Sequence, residues 1–178
     1  MYKRIATVSM LVTAALLAST PPSAAQEAVP GNPAYQEMGG DVPALKDCVE
    51  NEGRNAGSCI GRVSGYCTAE PSQDEPLETL KFCWAREQLA WDHLLNAEYA
   101  ERVAEAKEQD AAPDNESERE SFASLRDAQR AWIGFRDAEL RRFWMKRAPY
   151  SAKWRDADSE KLKAQLTATR YIDLHQTD

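Results

Sequence analysis

The chain has 178 residues, with 29 acidic and 22 basic side chains and a net charge of −7 at pH 7. A negative surface disfavours binding to nucleic acid and to anionic lipid, whereas it suits a basic partner or a plain solvated exterior. The length is that of one ordinary domain that can bury a real core.

The first 25 residues have the layout of a secretory signal peptide. Lys3 and Arg4 precede an apolar run over residues 5–18, and small residues then lead to a cleavage site after Ala25. The run is too short for a typical membrane span, and an uncleaved N-terminal anchor is the alternative. Cleavage would remove two basic and no acidic residues, so that the net charge would change from −7 to −9. We expect a periplasmic or secreted protein with no membrane contact after cleavage.

Residues 26–40 are rich in Pro and Gly and form a predicted flexible leader to a helical domain over residues 41–178. Asp41 as N-cap and Pro43 in the first turn predict a first helix that ends at about Gly53. The Gly-rich stretch that follows, to about residue 75, is predicted to be a loop held by cysteines.

Four cysteines lie in the N-terminal half of the chain: Cys48, Cys59, Cys67 and Cys83. An even number in an exported chain predicts two disulfides, which would staple a region that is poor in long apolar runs. Of the three possible connectivities we favour Cys59–Cys67, closing the Gly-rich loop, inside Cys48–Cys83. A zinc site is the alternative, but there is no CxxC pair and the two histidines are not spaced as ligands, so that we expect no metal.

Three long helices are predicted in the rest of the chain. The first, from about Pro76 to about Gln109, has an apolar stripe at helical spacing: Leu77, Leu80, Trp84, Trp91 and Leu95. A capping box at Ser117–Glu120 opens the second, which ends near Arg147. The third runs from about Ser151 to Leu174. Without strand alternation and with short connections, the chain is predicted to be all-α: a small antiparallel helical bundle with a disulfide-stapled N-terminal loop region.

The second long helix is expected to bury one face against the first. Leu125, Ala128, Trp132 and Phe135 step by three, four and three residues, which places them on one side of a helix. Trp132 should therefore be buried, and the other tryptophans are expected to lie in the core as well. A tryptophan left exposed would be a candidate contact residue.

Two stretches of these helices, WDHLLNAEY and QRAWIGFRDAE, resemble the D-x-x-LN-x-x-Y and QR-x-W-x-x-[FY]-R-D-A motifs of the LprI-like family. These are small exported bacterial proteins whose shared region is named after a lysozyme inhibitor. The resemblance covers roughly residues 48–174, and the matching residues are Asp92, Leu95, Asn96, Tyr99, Gln129, Arg130, Trp132, Phe135, Arg136 and Asp137. It implies a helical, periplasmic protein and, through the family name alone, inhibition of lysozyme.

The chain departs from the family at two positions. Members commonly have a further pair of cysteines where this sequence has Leu140 and Leu162. Their joint absence fits the loss of one whole disulfide and its replacement by an apolar contact.

The polar motif residues are better explained as scaffold than as a binding site. Asp92, Asn96 and Tyr99 share one helix face, so that Asp92 is expected to pair with an arginine such as Arg136, and Asn96 to bridge the two helices. Buried polar groups of this kind fix helix register in some proteins. The alternative is that the arginines present a pocket to an anionic ligand such as a glycan carboxylate.

Catalysis has little support in the sequence. Asp92 and His93 are neighbours that point about 100° apart on a helix, and Glu116 and Glu120 suit a helix N-terminus better than a glycosidase pair. No motif of a hydrolase, a metalloprotease or a nucleotide-binding site is present. We predict no catalytic residue and no cofactor.

The predicted function is that of a binding module that blocks a basic lysozyme by protein–protein contact. One alternative is an envelope stress or scaffolding protein with another protein partner. A third is an enzyme that acts on cell-wall glycan. The sequence leaves the oligomeric state open.

Overall fold

A computed structural model describes residues 40–69, 75–112 and 120–176. These contain five α-helices and one 3₁₀ helix, Gly53–Cys59: α1 Asp41–Glu52, α2 Arg62–Thr68, α3 Pro76–Ala111, α4 Ser121–Lys146 and α5 Ala152–His175. No strand occurs in these ranges, and the predicted all-α class is confirmed. The predicted signal peptide, nearly all of the leader and most of the predicted capping box lie outside them. No helix in these ranges is long and apolar enough to cross a membrane.

The three long helices form an up-down-up arrangement, in which each is antiparallel to the next. α3 and α5, the first and third of these helices, are parallel and make the most extensive contact with each other. Most of the core lies between these two helices and α1. The largest side chains in it are fully buried: Leu45, Trp91, Leu95 and Tyr171. The rings of Trp91 and Tyr171 pack with centroids 5.8 Å apart, so that the core joins the middle of α3 to the end of α5.

The disulfides staple the region around α2, but with a different pairing from the one favoured on sequence. The bonds are Cys48–Cys59 and Cys67–Cys83, with Cα–Cα distances of 6.0 and 5.6 Å. The favoured pairing assumed a loop between residues 53 and 75, whereas the chain forms a 3₁₀ helix and then α2. The 3₁₀ helix returns Cys59 to α1, and α2 packs on α3 and brings Cys67 to Cys83.

The sequence predicted Asp41 as the N-cap of α1, but Asp41 does not cap the helix. It is the first residue of the helix; Gly40 holds the cap position and no side chain caps it. The Asp41 carboxylate instead accepts two hydrogen bonds from the guanidinium of Arg86, at 2.5 Å from Nε and 2.8 Å from Nη2. A bidentate, charge-assisted pair is stronger than one cap bond, and it fixes the start of α1 against α3.

α4 packs less closely than its apolar spacing predicted. Its one buried side chain is Gln129, and Leu125 and Trp132 are partly buried against the core. Ala128 is exposed and Phe135 is 53% exposed, so that the predicted buried face was wrong. The inward face instead follows steps of four and three residues through Leu125, Gln129 and Trp132.

The expectation that all tryptophans lie in the core was also wrong. Trp91 is fully buried, and Trp84 and Trp132 are partly buried. Trp144 and Trp154 are 37% and 49% exposed, at the end where α4 connects to α5. Helical spacing identifies residues that share a face, but it does not tell which face another helix covers.

Candidate functional site

Three family-motif residues, Asp92, Arg136 and Asp137, line a small cleft where α3, α4 and α5 meet. The cleft has a volume of about 220 Å³, and we call it the motif cleft; its lining residues are Gln88, Asp92, Arg136, Asp137, Leu140, Lys163 and Thr167. Gln88 and Lys163 also line a neighbouring groove of about 480 Å³ between α3 and α5. The motif cleft therefore contains two carboxylates, a guanidinium and an ammonium group, a composition suited to a polar ligand group.

Asp92 is the half-buried carboxylate of the motif cleft. Its Oδ2 accepts a hydrogen bond from Nδ2 of Asn96 at 3.0 Å. Burial raises the pKa of Asp92 above its usual range, against the opposing effect of the positive charge on Arg136. Asn96 was expected to bridge α3 to α4. It instead bonds within its own helix.

The expected Asp92–Arg136 ion pair does not form. Nε of Arg136 instead donates to Oδ1 of Asp137 at 3.0 Å, and its guanidinium lies 5.2 Å from the centroid of the Trp132 ring. An adjacent carboxylate and an aromatic face on the same helix hold this guanidinium. Arg136 therefore acts on the pKa of Asp92 only through its charge, without a hydrogen bond.

The remaining motif residues divide between the interior and the surface. Oε1 of the buried Gln129 accepts a hydrogen bond from Nε of Arg170 at 3.0 Å, which joins α4 to α5. Burial lowers the pKa of Arg170, although the charges of Asp173 and Tyr99 oppose this. Tyr99 packs partly buried against the core. Arg130 is exposed and lies away from the motif cleft.

Sequence reasoning missed Glu87, a fully buried carboxylate that holds the stapled region. Oε1 accepts from the backbone N–H of Gly61 at 2.6 Å and from Nε1 of Trp91 at 3.0 Å, and Oε2 accepts from the N–H of Ser64 at 2.8 Å. A carboxylate can be buried when donors satisfy it in this way. Its position on the apolar face of α3, between Trp84 and Trp91, was the signal that could have revealed it.

A second unforeseen cluster lies at the far end of the bundle. Oε2 of Glu98 is 3.1 Å from Nδ1 of His175, and its Oε1 accepts from Nε of Arg102 at 2.9 Å. The His175 ring also stacks on Tyr171, with centroids 5.4 Å apart. Burial raises the pKa of Tyr171 to about 12, with further contributions from the charges of Glu98, Glu50 and Glu101. We call Glu50, Glu98 and Glu101 the acidic end.

The geometry offers little for metal binding or for cysteine chemistry. No group of three His, Cys, Asp or Glu side chains in the described ranges could hold a metal ion. All four cysteines are in disulfides, and none of the residues that line the motif cleft is a histidine.

Comparison with known proteins identifies the family of the chain. No curated protein and no solved structure matches it. A family model described as "Lysozyme inhibitor LprI" matches residues 67–174. The matched segment is more than half of the chain; it begins at a disulfide cysteine and includes both motifs and nearly all of the three long helices. The chain therefore belongs to the lysozyme inhibitor LprI family.

Proposed function

We propose that this protein inhibits a basic lysozyme by binding to it, and that it catalyses no reaction itself. The observation that carries the proposal is the family match over residues 67–174, which includes both polar motifs. A binding role is also consistent with a mixed-charge motif cleft that lacks histidine and free thiols.

The acidic end supports the choice of a basic partner. Glu50 and Glu101 are exposed, and their charges, like that of the buried and paired Glu98, raise the pKa of Tyr171 at this end of the bundle. Exposed negative charge raises the rate at which a positively charged protein is captured. In this proposal the acidic end is the surface that a basic lysozyme approaches.

The family motifs have a scaffolding role in the same proposal. Gln129 joins α4 to Arg170 on α5, and Trp132 fills the space between α4 and the core. Gln129 is buried and Trp132 is partly buried, which favours a structural role over partner contact. These residues would hold α4 in place, and partner contact would fall on the surfaces around them.

The proposal is tested with purified protein and a basic lysozyme in a cell-wall lysis assay. We expect dose-dependent loss of lysis, and no release of glycan fragments by the protein alone. The charge-neutral variant E50Q/E101Q should lower the association rate by about 10-fold at low salt. The matched control E78Q/D127N removes two exposed carboxylates outside the acidic end, and it should change the rate much less.

Two results would contradict the proposal. Full lysis at every concentration of the protein would show that lysozyme is not its partner. Capture of a different protein from the periplasm would then favour the scaffolding alternative. Equal rates for E50Q/E101Q and its control would reject the acidic end as the docking surface, even if inhibition itself occurs.

A further inference from the structure

The connection between α4 and α5 differs in charge from the rest of the protein. Residues 140–155, which we call the hairpin tip, contain six basic side chains and no acidic one: Arg141, Arg142, Lys146, Arg147, Lys153 and Arg155. The whole chain has a net charge of −7, so that the hairpin tip is a basic segment on an acidic protein. A net charge averaged over the chain conceals this separation.

The hairpin tip also exposes large apolar side chains. Met145 is 79% exposed, Tyr150 57%, Trp154 49% and Trp144 37%. Single exposed apolar residues are common, but four of them within eleven consecutive residues are unusual for a protein surface and indicate a contact site.

Internal contacts hold the aromatic rings and the cations of the hairpin tip side by side. The Arg147 guanidinium lies 5.2 Å from the ring centroids of both Phe143 and Tyr150, and its Nη1 donates to Oδ2 of Asp158 at 2.7 Å. The Arg155 guanidinium lies 5.0 Å from the centroid of the Trp144 ring. The surface is therefore organised before a partner arrives, which lowers the entropic cost of binding.

Part of the positive charge remains available to a partner. Arg142 and Lys153 are paired with Glu139 and Glu75. Arg147 is paired with Asp158. Three cations form no ion pair with any residue that the structure describes: Arg141, Lys146 and Arg155. Arg141 and Lys146 are exposed on the last turns of α4, next to Met145.

We propose that the hairpin tip binds the surface of an anionic phospholipid membrane. Tryptophan and tyrosine favour the level of the lipid headgroups, where their rings meet both apolar and polar surroundings, and Met145 can enter the acyl boundary. Arg141 and Lys146 then meet lipid phosphates. An acidic soluble protein is the alternative occupant, since protein interfaces also use aromatic residues, Met and Arg, and the vesicle experiment below distinguishes the two.

This proposal departs from the expectation, drawn from the sequence, of no membrane contact. The carboxylates beside the hairpin tip, Glu75, Glu139 and Asp158, are paired with its cations, and the acidic end is too distant to oppose the contact. Lys153 of the hairpin tip pairs with Glu75 at the start of α3, and Glu98 of the acidic end lies 23 residues further along the chain. At 1.5 Å per residue this is about 35 Å, which is several times the Debye length of about 8 Å at physiological salt. The acidic end would therefore point away from the membrane and stay accessible to a soluble partner.

Vesicle binding tests the proposal directly, with the protein in the form recovered from the periplasm. Vesicles of phosphatidylcholine with about one third phosphatidylglycerol are compared with vesicles of phosphatidylcholine alone, by co-sedimentation and by tryptophan fluorescence. We expect binding to the anionic vesicles, a blue shift of the emission, and weakening as salt is raised to about 0.5 M.

Two variants and two matched controls assign the binding to the hairpin tip. R141Q/K146Q should lower the partition coefficient by roughly 25-fold, at about 5-fold for each charge. M145S/W154S should lower it at least about 10-fold. The controls, K46Q/R54Q and Y66S, remove the same kinds of exposed side chain outside the hairpin tip, and should bind within about 2-fold of the unaltered protein.

Three outcomes would overturn the proposal. The first is no binding to anionic vesicles, and the second is binding that the hairpin-tip variants leave unchanged. The third is self-association in sedimentation velocity that the same variants abolish, without vesicle binding, because the occupant would then be a second copy of the chain. Every variant carries the same N-terminal segment, so that residues ahead of the bundle cannot produce the differences.

Discussion

Gln129 of α4 is bound to Arg170 of α5 by a hydrogen bond of 3.0 Å, and it is the one buried side chain that α4 contributes to the bundle. The other long helices bury large apolar residues, such as Trp91 of α3 and Ile172 of α5. α4 is therefore held largely by a polar contact and by the partly buried Leu125 and Trp132. It should be the first long helix to detach.

Replacing Gln129 tests this difference. Q129L keeps the size of the side chain but leaves Nε of Arg170 without its acceptor, at a cost of about 1–3 kcal/mol. Amide hydrogen exchange should speed up in α4 more than in the central part of α3. The exposed Gln165 provides the control, since Q165L should leave exchange in α4 unchanged. Equal acceleration in α3 and α4 would mean that the bundle opens as one unit.

Glu87 should be among the most sensitive polar residues. E87A removes the acceptor of three hydrogen bonds, two of them from backbone N–H groups at the start of α2, and should lower the free energy of unfolding by roughly 3 kcal/mol or more. E87Q keeps one accepting oxygen and should fall between E87A and the unaltered protein. Urea unfolding measures both, with E108Q at an exposed position of α3 as control. A wild-type midpoint for E87A would contradict the role of Glu87.

Tyr171 gives the protein an alkaline limit. Its folded-state pKa is raised to about 12, whereas a tyrosine in the unfolded chain ionises near pH 10. Between these values the unfolded chain loses the proton first, so that stability falls as pH rises from 10 to 12, by about 2–3 kcal/mol. Y171F keeps the ring contacts with Trp91 and His175, and it should match the unaltered protein at pH 7 but lose less stability above pH 10. Identical alkaline unfolding curves would exclude this residue as the cause.

Arg136 should matter little for stability. Its guanidinium pairs with the exposed carboxylate of the adjacent Asp137 and lies over the Trp132 ring. Exposed pairs of this kind contribute about 0–1 kcal/mol, so that R136A should shift the urea midpoint only slightly. A double-mutant cycle with D92N should give a coupling energy below about 1 kcal/mol, because the two side chains are not in contact. A large coupling energy would show that the direct pair forms in solution.

Export and oxidation remain predictions of the sequence. Mass spectrometry of protein from the periplasm should find an N-terminus near Gln26 and no thiol that reacts without reduction. Peptide mapping should recover the bonds Cys48–Cys59 and Cys67–Cys83. Retention of residues 1–25 would favour the N-terminal anchor instead.

Local signals predicted most of the secondary structure. Gly53 and Pro76 mark helix ends because of their own backbone limits, and the apolar stripe of α3 extends over many turns. The 3₁₀ helix and α2 escaped prediction because they are held by Glu87 and by the two disulfides, whose partners lie elsewhere in the chain. Local sequence does not contain that information.

The candidate site was predicted in composition but not in contacts. The sequence placed Asp92 and Arg136 on facing helices, and both do line the motif cleft. Which partner each side chain contacts depends on the relative positions of the helices, and Arg136 contacts Asp137 and Trp132 on its own helix. The exposure of Trp144 and Trp154 was missed for a related reason, because helical spacing does not tell which face a neighbouring helix covers.

The disulfide pairing bears on how the chain matures. Both bonds join cysteines that are consecutive in the sequence, with separations of 11 and 16 residues. When a chain is translocated from its N-terminus, Cys48 is the only free thiol in the periplasm as Cys59 emerges. After these two are joined, Cys67 is the only free thiol as Cys83 emerges. An oxidase that joins thiols in their order of arrival thus forms the native pairs directly, so that maturation would need no isomerase to exchange wrong bonds.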